Sequence, residues 1–241
     1  MKIGVKTYNS EEFLKNFKKT ADFFEIQAIE TNKYDFLKKF KKPIIIHAQH
    51  SGNGINNANK KLYDKNLKSA KFAINLANHI NAKKIIFHAG IIEKDCTEKQ
   101  AIKFLKNLKD KRILIENSAG YRKVLCRFPE ETKNFLEKTN KGFCFDINHA
   151  IVTANHLKKN HINFIREFLK LKPVHFHIGG QDINAKIDQH KSFRESNINL
   201  REILSLLPED SEITLEVTTD IEKTKEDLNI IKKIIEQLRY L

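Results

Sequence analysis

The sequence predicts an α/β protein, a single (β/α)8 TIM barrel over residues 1–241. Three observations lead there. Short apolar, β-branched runs alternate with amphipathic segments along the whole chain, and such alternation implies a parallel sheet. Eight of these runs fit into 241 residues, an ordinary length for one closed barrel. The runs are apolar almost without interruption, as strands covered on both faces must be.

In order, the predicted strands are "KIGVK" (2–6), "FFEIQAI" (23–29), "PIIIH" (43–47), "KIIFH" (84–88), "RILIE" (112–116), "GFCFD" (142–146), "PVHFH" (173–177) and "EITLE" (212–216). Pro43 and Pro173 precede strands, while Pro129 and Pro208 suit helix starts or turns. Between the strands, "AIKFLKNLK" (101–109) and "LNIIKKIIEQL" (228–238) place apolar residues at i, i+3 and i+4, the spacing of an amphipathic helix. His79, His156 and His161 fall on helices or connections and read as surface residues. His175 shares a strand face with His177 one layer deeper and reads as core. No stretch has the composition of a linker or of a second domain.

The formal net charge is +14, from 44 Lys and Arg against 30 Asp and Glu. Such a field attracts polyanions, nucleic acid above all. A Lys-, Asn- and Ile-rich composition produces the same excess, so charge alone does not separate a nuclease from a sugar-phosphate enzyme. No run of about 18 apolar residues occurs, so no membrane span is expected. "MKIGVKTYNS" has too short an apolar stretch for a signal peptide. Three scattered cysteines, Cys96, Cys126 and Cys144, make no disulfide framework and fit a reducing compartment. A cytoplasmic monomer is expected.

The strand endings carry the chemistry. From the third strand onward they are His47, His88, Glu116, Asp146, His177 and Glu216. Any one alone reads as a helix cap, a loop contact or a structural histidine. Six in series, converging on the one mouth where barrel strands end, read as a site. Three carboxylates and three imidazoles crowded together need a cation. Mixed His and carboxylate ligands without Cys suit Zn²⁺, with Mn²⁺ or Fe²⁺ as competitors. Six ligands exceed one tetrahedral ion, so two metals sharing a carboxylate fit better, with Glu116 as the central bridge. Past the strands, His149 follows Asp146 by three residues, and Asp188 and His190 form a D-x-H pair in the loop "IGGQDINAKIDQHKSF". These three suit a further, open site.

The segments "IIIHAQHSG", "IIFHAG", "ILIENSAG", "FCFDINHA", "HFHIGG", "DQHKSFRESNI" and "ITLEVT" run in order from about residue 43 to 218. Together they resemble the endonuclease IV family of apurinic/apyrimidinic endonucleases, within the broader xylose-isomerase-like barrels. The resemblance implies two to three zinc ions per chain. One would use His47, His88 and Glu116. A second would use Glu116, Asp146, His177 and Glu216, and a third His149, Asp188 and His190. Glu116 and Glu216 are the implied catalytic carboxylates, the latter orienting the attacking water. The implied partner is double-stranded DNA with abasic sites, cleaved on the 5′ side of the lesion by hydrolysis with no covalent intermediate.

The sequence departs from that family in its loops. "HSGNGINNANKKLY" from His50 holds no aromatic close to His47, where family members carry wedges that displace bases. Tyr63 reads as helical, whereas Tyr34 is placed to face the mouth. After Glu116, "YRKVLCRF" offers Tyr121, Arg122, Lys123 and Arg127 as phosphate contacts, although a solvated basic face fits as well. "HIGG" lacks a polar neighbour for His177. The alternative is a sugar or sugar-phosphate isomerase or epimerase. It would need one divalent ion on Glu116, Asp146, His177 and Glu216, with paired glutamates moving protons beside a carbonyl.

Overall fold

The computed structural model describes residues 1–119 and 123–240. Eight parallel strands close on themselves in sequence order: β1 (Lys2–Thr7), β2 (Phe23–Ala28), β3 (Ile44–Ala48), β4 (Ile85–His88), β5 (Ile113–Glu116), β6 (Gly142–Asp146), β7 (His175–Ile178) and β8 (Glu212–Leu215). β8 pairs back onto β1, which leaves no free edge. The (β/α)8 TIM barrel read from the sequence is therefore the observed fold, with strand ends moved by a residue or two.

The helices are α1 (Glu11–Phe17), α2 (Tyr63–His79), α3 (Glu98–Asn107), α4 (Pro129–Thr139), α5 (Ile147–Leu157), α6 (His161–Leu169), α7 (Leu200–Ser205) and α8 (Ile221–Leu238). They are not spread one per strand. Between β2 and β3 lies only a 3-10 turn, Asp35–Lys39. Between β6 and β7 two helices pack in series. The helix predicted over 101–109 starts earlier, where the Thr97 side chain accepts from the Gln100 amide, and ends at Asn107. Among the described residues no helix is long and apolar enough to cross a membrane.

Strand periodicity organises the interior. Successive side chains point to opposite faces of the sheet. Val5, Phe24, Ile46, Phe87, Ile115, Phe145, Phe176 and Ile213 point outward into the core shared with the helices. One residue earlier on their strands, Phe23, Ile45, Ile86, Leu114 and Cys144 point inward and fill the barrel's centre as a separate apolar cluster. Gly4 belongs to that inner tier. A Cβ there would lie 2.2 Å from the Phe23 ring, so the glycine makes room for it. Two residues further along the strands, the inner tier becomes polar: Lys6, Glu25, His47, His88, Glu116, Asp146, His177 and Thr214. The apolar plug below and the helices outside make this tier rigid and largely dry.

Candidate metal centre

Strand register sets the site's neighbours. His88 lies beside Glu116 on β4 and β5, and Asp146 lies beside His177 on β6 and β7. Glu116 is the hub. Its Oε2 is 3.0 Å from His47 Nε2 and 3.3 Å from His88 Nε2. Its Oε1 turns the other way, 3.5 Å from both His177 Nδ1 and His149 Nδ1. Among the described residues, the donor atoms of His47, His88 and Glu116 converge within 4.8 Å of one another, as do those of Glu116, Asp146, His177 and Glu216. Two adjoining groups thus share one carboxylate, with one oxygen facing each.

His149, Asp188 and His190 also meet, but less tightly. Asp188 Oδ2 is 2.7 Å from His190 Nε2 and 3.5 Å from His149 Nε2, so the carboxylate stands between the two rings. The glycines of "HIGG" explain how the loop reaches this place. Gly180 exchanges backbone hydrogen bonds with Lys191, and a Cβ on Gly180 would lie 2.4 Å from the Ser192 carbonyl oxygen. Where a polar neighbour of His177 is missing, the chain has instead the close backbone approach that carries Asp188 and His190 to the mouth.

Hydrogen bonds orient the rings. His47 Nδ1 donates to the Ala48 carbonyl at 3.0 Å, His149 Nδ1 to the Asn117 carbonyl at 2.7 Å, and His190 Nδ1 to the Glu216 carbonyl at 2.9 Å. Each of these presents Nε2 to the centre. His177 is reversed: Nε2 faces Glu25 Oε2 at 3.0 Å and Nδ1 faces the centre. Asn117 ties β5 to β6 by exchanging two hydrogen bonds with the Asp146 backbone, at 2.7 and 2.8 Å. Asp146 also caps α5, accepting the His149 amide at 2.7 Å. One residue therefore ends a strand, starts a helix and faces the centre.

Several buried atoms here lack hydrogen-bond partners: His177 Nδ1, Glu216 Oε2 and Asp188 Oδ1. His177 Nδ1 and Glu216 Oε2 are 2.8 Å apart, yet misaligned for a hydrogen bond. Buried polar atoms without partners are costly, and lone pairs converging from imidazole and carboxylate are the ligand chemistry of a divalent cation. The residues fit a metal. Protonation in the metal-free protein shows the same crowding. Burial, with Asp188, Glu116 and Glu216 nearby, pushes the Asp146 carboxyl up to about 7, against the pull of His149. Burial alone would lower His190, but the Asp188 hydrogen bond and the Glu216 charge raise it to about 9. Burial lowers His88 well below its ordinary value despite Glu116.

Two residues of this tier escape a reading that begins at the third strand. Lys6 Nζ is 2.6 Å from Glu216 Oε1 and 3.3 Å from Glu25 Oε1. Glu25 is wholly buried and also accepts the Thr214 hydroxyl at 2.7 Å. A lone charge inside an apolar strand was the signal for both. His175, read as core, is buried below them with Nε2 2.9 Å from Thr214 Oγ1.

The remaining predicted contacts sit elsewhere. Tyr34 does not face the mouth, since its buried hydroxyl donates to the Gln27 carbonyl and accepts the Ile29 amide, bracing the end of β2. Tyr63 begins α2. Arg127 lays its guanidinium over Phe128, 5.4 Å from the ring centre, at the start of α4. Lys123 is exposed. Tyr121 and Arg122 lie outside the described residues. Two depressions flank the centre. One, of about 350 Å³, is lined by His50, Asn57, His88, Ser118 and His149 among others. The other, of about 290 Å³, is lined by Lys6, Gln27, His190, Glu216 and Thr218 among others.

Comparison with known proteins agrees with the fold. The family described as xylose isomerase-like TIM barrel matches over residues 12–234. Among solved structures, a D-tagatose 3-epimerase-like protein superposes with a TM-score of 0.78 at 21% identity, covering 100% of this chain and 99% of that one. Endonuclease IV from Thermus thermophilus superposes at 0.76 with 17% identity, covering 98% and 100%. The IOLI protein, solved with a bound zinc atom, superposes at 0.69 with 14% identity, covering 99% and 98%. Identities this low speak for the fold. No curated protein matches the chain.

Proposed function

Because the chain belongs to the xylose isomerase-like TIM barrel family, we propose that its barrel mouth is the active site of a zinc-dependent DNA repair endonuclease, hydrolysing the phosphodiester 5′ to abasic sites. One observation carries this reading. Glu116 divides its two oxygens between the His47–His88 side and the His177 side, which is the posture of a carboxylate shared by two ions. A one-ion epimerase has no need of His47 and His88 on the far oxygen, nor of His149, Asp188 and His190 beside the first group.

His47, His88 and Glu116 would hold one ion, and Glu116, Asp146, His177 and Glu216 another. His149, Asp188 and His190 would form a third, more open place. Divalent ions in such a centre neutralise phosphoryl charge and lower the pKa of water toward about 7. The chain's own residues supply the rest. Backbone carbonyls fix three of the rings, the apolar tier below excludes water, and Glu216 faces the centre from the rim to orient an attacking water.

A second reading is favoured by the depression of about 290 Å³ beside Glu216, where Lys6, Gln27 and Thr218 among others could meet the hydroxyls of a small sugar. In that reading Glu116 and Glu216 would exchange protons at a carbon next to a carbonyl. The deciding experiment is incision of a duplex oligonucleotide carrying one abasic site, with and without chelator, on protein whose metal content is measured in parallel. Chelator-sensitive incision with two to three ions per chain is the expected result. Bound metal without incision removes the nuclease; a single ion turns the reading to an epimerase.

A further inference from the structure

Lys6 and Glu25 stand opposite each other in register on β1 and β2. Between them they engage one atom on each of two candidate ligands. Glu25 Oε2 takes His177 Nε2 at 3.0 Å, and Lys6 Nζ takes Glu216 Oε1 at 2.6 Å. The atoms left over are His177 Nδ1 and Glu216 Oε2, two of the buried atoms that find no partner. Nδ1 also lies 3.5 Å from Glu116 Oε1 and 3.9 Å from Asp146 Oδ2, within the second ligand group.

We infer that the Lys6–Glu25 ion pair is a positioning device that selects which atom of each ligand meets the ion: Nδ1 of His177 and a single oxygen of Glu216. The inference rests on the metal-centre reading above. On this reading Glu25 stands behind the ligands and is not one of them, although Glu25, His47 and His177 also bring donor atoms within 4.8 Å of one another. Its charge is matched by Lys6, and one imidazole nitrogen cannot both donate to Glu25 and bind an ion. Three of the other four rings, His47, His149 and His190, meet backbone carbonyls and so present Nε2. His177 meets a carboxylate on its Nε2 side and is turned the other way, and a carboxylate behind a ligating histidine also raises the ring's basicity.

The test uses two variants. Glu25→Gln keeps the volume. Lys6→Met with Glu25→Leu removes one charge of each sign together, so the net charge inside the barrel is unchanged, and Glu216 keeps His177 as its cationic neighbour at 2.8 Å. Zinc affinity is measured against a chromophoric chelator, and both variants should bind the ion held by His177 about 10–100-fold more weakly. In zinc-loaded, ¹⁵N-labelled wild-type protein, the His177 ring should carry its proton on Nε2 and the metal on Nδ1, and the double variant should lose that preference. Metal on Nε2 in the wild type overturns the inference, as does undiminished affinity in both variants. If the wild type binds no zinc at all, the metal-centre reading falls with it. If it binds and the variants match it, only the positioning role falls.

Discussion

Glu116 Oε2 lies 3.0 Å from His47 Nε2, both side chains buried, although 69 residues separate them in the chain. The His47 ring donates from Nδ1 to a backbone carbonyl, which turns Nε2 toward the Glu116 carboxylate at hydrogen-bond distance, where both atoms, with His88, could ligate one ion. Glu116→Gln keeps the shape and removes the charge. Losing shared charge stabilisation of several kcal/mol should lower chelator-sensitive activity by about 10³-fold and reduce the bound metal. Turnover together with elemental analysis checks this, and retained activity with full metal would refute the bridging assignment.

Stability of the metal-free protein should fall as pH rises from 6.5 to 9. His190 is raised from 6.5 to about 9, and His149 and His177 are raised well above 6.5. Through this window the folded chain holds protons that the unfolded chain has lost, so the slope of stability with pH is negative. His50, His88 and His175 are lowered; they oppose this slope only until about pH 7.5, where the unfolded histidines have lost their protons. Urea midpoints of chelator-treated protein at pH 6.5 and 9 check the sign. Zinc should stabilise more at the higher pH, because bound metal needs the deprotonated rings.

Gly180→Ala should disturb the His149, Asp188 and His190 group while sparing Glu116 and its neighbours. The new Cβ would meet the carbonyls of Ser192 at 2.4 Å and Lys191 at 2.7 Å, in the segment that follows His190 directly. Backbone atoms cannot yield as a side chain does, so the loop must shift. One ion of the centre should weaken about 10–100-fold, with little change in the fold by circular dichroism. Equal weakening of every bound ion would contradict the separation of the groups.

Phe145→Ala should cost about 3–5 kcal/mol of stability. The ring is fully buried, stacks on Phe168 with centroids 5.0 Å apart, and meets Phe176 edge-on at 6.4 Å. Because Phe145 points away from the barrel's interior, metal affinity of the folded variant should stay near wild type. Urea unfolding and chelator competition read the two effects separately.

Sequence alone determined the barrel and the charged rim. Apolar runs of strand length report burial on two faces, and a period of two fixes which residues share a face. From these, His47, His88, Glu116, Asp146, His177 and Glu216 could be set at one mouth by strand order alone. Tertiary structure decided what no period encodes. It gave each oxygen of Glu116 its own side, turned His177 against the other rings through Glu25, and set Lys6 onto Glu216. It also withdrew Tyr34 from the mouth to brace β2. These are contacts between strands distant in the chain. A lone charge in an apolar strand marks Lys6 and Glu25 in the sequence, but which ligand atom each one faces depends on strands brought together by barrel closure, and no local period specifies that.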